Sequence, residues 1–219
     1  MQNNGTRKSI SRGVSRLLSV AALGMVFTLA LPHAARADRI TVPPVPPDIA
    51  APVNTRVFFV GHGVGTQNYV CLPSATSVAY ALFTPQATLF TDSQQQATTH
   101  FFSPNPDESG VVIRATWEDS QDTSTVWAEV TQPSSDPRFV AKGAIPWVLL
   151  HVVGREPGPT GGTKLLRTTD IQRLNTEGGV APSTGCSTAK DIGNKAFVPY
   201  KADYFFYEQV KPRVLDDQQ

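Results

Sequence analysis

The chain has 219 residues, with 19 Lys and Arg against 18 Asp and Glu and a hydrophobic share of 40%. The balance is near neutral and no basic patch is evident along the chain, which argues against nucleic acid as a partner. The length is enough for one domain with a real core, and the 2 cysteines allow a single internal disulfide.

The first segment reads as an export signal. Arg7, Lys8, Arg12 and Arg16 precede a largely apolar run from Leu17 to Leu31, and Ala35-Arg36-Ala37 follows as a small-x-small cleavage site. The run falls short of the ~20 residues that a spanning helix needs. Residues 1–37 are therefore expected to leave as a signal peptide, with no membrane span after its removal. No Arg-Arg pair precedes the run and no Cys stands at the cleavage site, which disfavours the twin-arginine route and a lipid anchor. Five basic residues and no acid leave with the segment, so 14 of the 19 basic residues remain against 18 acids. The protein is expected to be exported, to a periplasm or beyond the cell. In such a compartment Cys71 and Cys186 are expected to pair, and the lack of Cys-x-x-Cys speaks against a redox role.

Residues 38–54 hold Pro43, Pro44, Pro46, Pro47 and Pro52, and are expected to be an extended stretch lying along a domain edge or acting as a spacer. A single β-rich domain is expected over 55–219. Short β-branched and aromatic runs follow at Arg56–Val60, Gln67–Leu72, Ser77–Phe83, Ala87–Phe90 and Thr98–Phe102, the last before Pro104-Asn105-Pro106. Val111, Ile113, Ala115 and Trp117 alternate with Val112, Arg114 and Thr116. Val126, Ala128 and Val130 alternate with Thr125, Trp127 and Glu129. This period of two marks half-buried strands. Trp147–Val153 is apolar on both faces apart from His151, as a central strand would be, which makes His151 a core histidine. Leu165–Leu174 fits a short helix capped at Thr169 and Asp170, or a strand ending at Asn175. Phe197–Gln209 carries the last aromatic run. The expected fold class is all-β or mainly β: an antiparallel sandwich or barrel with one disulfide.

Four words carry a resemblance. They are Val64-Gly65-Thr66-Gln67-Asn68-Tyr69-Val70-Cys71, Ala144-Ile145-Pro146-Trp147-Val148-Leu149-Leu150, Ile171-Gln172-Arg173-Leu174-Asn175-Thr176-Glu177-Gly178-Gly179, and Val198 to Tyr207. With His100 and Trp117, they make the chain from about Pro43 to Tyr207 resemble a secreted bacterial and fungal domain-of-unknown-function family, number three-four-five-five. The resemblance implies no activity. Some fungal members are labelled malate dehydrogenase, a label without support here. In Gly61-His62-Gly63-Val64-Gly65-Thr66, threonine stands where the third glycine of a dinucleotide fingerprint belongs, and no helix is expected to follow. No cofactor is expected.

The glycines fit a flexible turn between two strands better than an anion-binding nest. Gln67 and Tyr69 share a strand face and are candidate ligand-binding residues. His62, His100 and His151 form no metal-binding pattern, so no metal is expected. His100, at a polar-to-aromatic transition, is the histidine favoured for function. Trp117 and Asp119, at a strand end entering a polar loop, suit a sugar: the indole would cover a ring face and the acid would bond hydroxyls. Asp203, between Tyr200 and Tyr204, is expected to tie strand ends together. There is no Gly-x-Ser-x-Gly elbow. The leading expectation is a non-enzymatic ligand-binding or envelope-associated domain for a glycan or small molecule. The alternatives are a secreted hydrolase using His100 with a carboxylate such as Asp119, and a purely structural envelope protein.

Overall fold

The alternation along the chain becomes one continuous wall. A computed structural model describes residues 39–210, so the expected signal peptide lies outside the described residues. The strands are β1 (Thr55–Pro73), β2 (Val78–Phe90), β3 (Gln96–Pro104), β4 (Ile113–Asp119), β5 (Thr125–Ser134), β6 (Trp147–Glu156), β7 (Thr168–Gly178) and β8 (Lys195–Gln209). Each pairs with the next, and they form a closed antiparallel barrel. The sandwich alternative is thereby set aside. β8 returns along β1 from Thr55↔Gln209 to Val70↔Lys195, which removes the free edges that two separate sheets would leave. Leu165–Leu174 resolves as a turn leading into a strand, not as a helix.

The glycine cluster corrects the sequence expectation. Gly61–Gly65 does not form a turn; it lies in the middle of β1 and joins two runs into one strand. The cause is space inside the barrel. A Cβ on Gly63 would stand 2.9 Å from the Tyr204 ring, and one on Gly65 would strike the Gln86 carbonyl oxygen and come within 2.5 Å of the Ala87 backbone. Side chains at these positions would displace the aromatic filling or push β2 away, so the strand keeps glycine despite its weak strand preference.

The two faces of the wall hold two cores. Tyr204 and Phe206 point inward with Leu89, Trp117, Val126 and Ile171. Phe205 and Tyr207, one residue out of phase, point outward with Ile49, Trp147 and Leu174. The proline-rich segment covers that outer patch through Ile40, Val42, Val45 and Ala51. Gln172 fixes it in place: its Nε2 donates to the Ile49 carbonyl at 2.6 Å and its Oε1 accepts from the Tyr207 hydroxyl at 2.5 Å.

One end of the barrel is plugged. The β6–β7 connection inserts Leu165, which is fully buried in the inner core. Asp122 accepts the Thr163 and Lys164 amides at 2.8 and 2.9 Å, while Ser124 Oγ accepts the Leu165 amide at 3.0 Å. Burial opposes the Asp122 charge, but bonds from Ser124, Lys164 and Thr163 outweigh it and hold the carboxyl down at about 2. Toward the other end the wall flares. The β2–β3 ladder runs only from Ala87↔His100 to Phe90↔Gln96, beyond which Thr84 Oγ1 accepts the Phe102 amide at 2.9 Å.

Cys71 and Cys186 form a disulfide across a separation of 115 residues. It ties the long β7–β8 connection to β1, where the Cys71 amide donates to the Asn194 carbonyl at 2.8 Å. Among the described residues no helix is long and apolar enough to cross a membrane.

Candidate functional site

Every strand contributes to a cavity of about 350 Å³ inside the barrel. Gln67 comes from β1, His100 from β3, Trp117 from β4, Arg173 from β7 and Tyr204 from β8. Ala128, Val148 and Leu150 supply an apolar wall from β5 and β6. The inward parity of each strand selects these residues. Ile113, Ala115 and Trp117, one face of β4, all line the space. The cavity also reaches Leu82, Ile113 and Val130, which are 43%, 51% and 54% exposed and form an apolar mouth at the flared end. Arg114 braces that mouth, pairing with Glu108 at 2.6 Å and Glu129 at 2.9 Å.

His100 is 3% exposed and lies flat on Trp117, with ring centroids 4.2 Å apart and planes 8° from parallel. Its Nδ1 donates to the Thr116 carbonyl at 2.8 Å. Burial drives its pKa down to about 3; the Thr116 bond opposes this and Arg173 adds to it. The ring is therefore neutral across ordinary pH, with the proton on Nδ1 and an acceptor lone pair on Nε2. Because the unfolded chain takes up this proton near the usual 6.5, His100 weakens the fold progressively as pH falls from there toward about 3.

The inner wall is rich in unpaired donors. Gln67 Nε2, Trp117 Nε1 and Arg173 Nε are buried and make no well-formed hydrogen bond among the described residues, although the Gln67 and Arg173 side chains approach the Tyr200 and Tyr204 hydroxyls closely enough to act on them. Arg173 donates through Nη2 to the Pro146 carbonyl at 2.8 Å, and among the described residues it forms no ion pair. An unpaired buried donor costs about 1–3 kcal/mol, so three on the residues of one cavity are a costly arrangement for a purely structural interior. Tyr200 and Tyr204 share a hydroxyl–hydroxyl bond of 3.0 Å beside this wall. Burial raises both of their pKa values, and Arg173 partly offsets this.

Of the residues singled out from sequence, Gln67, His100 and Trp117 line the cavity, and Tyr69 and Asp119 do not. The Tyr69 hydroxyl donates to the Gly179 carbonyl at 2.6 Å. Asp119 is fully buried near the plugged end, where it meets Lys164 at 2.6 Å and accepts the Gln121 and Asp122 amides at 3.0 Å. The hydrolase pairing of His100 with Asp119 is not assembled. His100 Nδ1 is committed to backbone, and the register sets Asp119 opposite Thr98. Arg173 and Tyr204 were missed. The available clue was parity: Arg173 lies two residues after the inward Ile171, and Tyr204 two before the inward Phe206.

The other histidines lie elsewhere. His151 is not in the core: its side chain is 55% exposed and meets Asp170 at 3.1 Å. It sits on the outer face of β6, where the outer apolar patch made its neighbours look central. His62 stands between two carboxylates, with Nδ1 2.6 Å from Asp203 and Nε2 2.9 Å from Asp92. Asp203 also accepts from Asn175 Nδ2 at 2.7 Å, so one carboxylate links β1, β7 and β8. Partial burial lowers the His62 pKa, but Asp203 and Asp92 together outweigh it and raise it above the usual 6.5. A raised folded pKa gives stability that is fully present below the unfolded value and is lost as pH rises through the folded one. The melting-temperature deficit of His62→Gln should therefore be larger at about pH 5.5 than at about pH 8.5. Equal deficits would show that the imidazolium form contributes nothing. Among the described residues no group of three His, Cys, Asp or Glu side chains could hold a metal ion.

The fold and site define a class: an antiparallel eight-stranded barrel, plugged at one end, with a donor-lined interior. The chain belongs to the family described as Protein of unknown function (DUF3455), whose model matches residues 52–208. No curated protein and no solved structure matches it.

Proposed function

We propose that this protein is an exported, non-enzymatic binding domain that holds one small molecule inside its barrel. The observation that carries this is the set of unpaired donors on Gln67, Trp117 and Arg173 around a cavity of about 350 Å³. That volume lies within the range of small-ligand sites, about 300–1,000 Å³. A glycan is the weaker choice of ligand. Trp117 is 1% exposed and has one face stacked on His100, so little of its indole is open to a sugar ring. Export to a periplasm or beyond the cell is supported by the pattern of residues 1–37 and by the disulfide, a bond that persists in oxidising compartments.

A thermal-shift screen against small organic acids, alcohols and sugars tests the binding role. One class should raise the melting temperature saturably, and Ala128→Phe, which fills the cavity, should abolish the rise. A panel without any shift, or a shift that survives Ala128→Phe, would count against a ligand in the barrel.

A further inference from the structure

We infer that the ligand is a small amphiphilic monocarboxylic acid, bound as its anion with the carboxylate at Arg173 and its apolar body against the cavity's aliphatic wall. This rests on the binding role proposed above and names the chemistry of the same site.

Three observations lead there. First, Arg173 places a cation on the cavity wall, and among the described residues no carboxylate pairs with it. A partly buried cation favours a counter-ion or a dense set of hydrogen bonds, and Arg173 has the Pro146 carbonyl and the nearby Tyr204 hydroxyl. Second, two further unpaired atoms on the lining are donors, Trp117 Nε1 and Gln67 Nε2, on residues 1% and 2% exposed, against the single acceptor that His100 Nε2 offers. Donors around a guanidinium suit an acceptor-only group, and a carboxylate matches the planar fork of arginine. Third, the other cation lining the space, Arg114, is already taken near the mouth, shared between Glu108 at 2.6 Å and Glu129 at 2.9 Å. One unopposed positive charge fits one negative charge. A phosphate dianion would remain half uncompensated, and a second carboxylate on the ligand would face Val148, Leu150, Ile113 or Val130.

Titration calorimetry on the purified protein with octanoate, octanol and octyl phosphate tests this, repeated on Arg173→Gln and on Ala128→Phe. Octanoate should bind at least about tenfold more tightly than octanol to the wild-type protein. It should also bind more tightly than octyl phosphate, and Arg173→Gln should bring octanoate down to the affinity of octanol. Octanol or octyl phosphate matching octanoate in the wild-type protein overturns the inference, and that comparison needs no folded variant. If octanol matches octanoate and Ala128→Phe abolishes both, the barrel still binds a ligand and only the carboxylate assignment falls. If none of the three binds, both conclusions fall together.

Discussion

Trp117→Ala is expected to destabilise the protein by about 3–5 kcal/mol, the range for truncating a fully buried aromatic. Few positions in the barrel combine so much volume with so many contacts. The indole is 1% exposed, stacks on His100, and meets Tyr204 and Phe206 edge-on at 5.7 and 6.2 Å between centroids. Its removal would join a new void to the cavity already beside it, and the β-wall around it, closed by hydrogen bonds, has little freedom to collapse inward. Urea denaturation checks the magnitude, and a loss below about 1 kcal/mol would show that the ring is not what fills the interior. A second readout comes from His100. Its pKa is held at about 3 first of all by burial. With one face opened to water, the imidazole should titrate much nearer its ordinary value, and an NMR pH titration would follow this directly.

Removing the disulfide is expected to have an effect of similar size. Replacing Cys71 and Cys186 together by Ala frees a loop defined by a separation of 115 residues. The chain-entropy model gives about 5 kcal/mol for a loop of that length, and measured losses in exported domains run about 2–5 kcal/mol. The structural consequence should be local. The β7–β8 connection is joined to β1 by the bridge and by two backbone bonds of Cys71, to Asn194 at 2.8 Å and from Gly193 at 2.9 Å. Hydrogen exchange in residues 179–194 should accelerate more than in the β4–β5 ladder, and calorimetry should show the lower melting temperature. Indistinguishable melting temperatures for the oxidised protein and the double variant would mean that the bridge adds nothing to the fold.

The β class was legible where one face is buried and the other is not. The alternation of Val111 to Trp117 and of Thr125 to Val130 marked both strands and the inward phase of Trp117, Val126 and Ala128, but β4 starts only at Ile113, Val111 and Val130 are exposed, and Thr116 and Trp127 on the opposite faces are buried. It failed where tertiary context overrides local composition. The Gly61–Gly65 stretch looks like a turn by residue type, and only the Tyr204 ring and the backbone at Ala87 explain its place inside a strand. Trp147–Val153 looks doubly buried because the proline-rich segment and its neighbours cover part of the outer face, an arrangement that places His151 in solvent instead of the core. Gln67, His100 and Trp117 could be singled out by chemistry and strand position. Arg173 could not, since a cation in an ambiguous segment carries no sign of facing inward until the strand's phase is known. The choice of barrel over sandwich was equally out of reach, because it depends on β1 meeting β8, partners at opposite ends of the domain.

That last pairing also sets the order of events during folding. The cavity wall includes residues from β1 and from β8, so it cannot exist before Lys195–Gln209 has joined Thr55–Pro73. Hairpins such as β4–β5 can form early, but the closing seam joins distant parts of the chain, and such contacts form slowly. Until the seam closes, Trp117, Tyr204 and Phe206 have no common interior to occupy, and the open sheet presents two unpaired edges to other chains. A nascent chain is thus at its greatest risk of aggregation just before its final strand arrives.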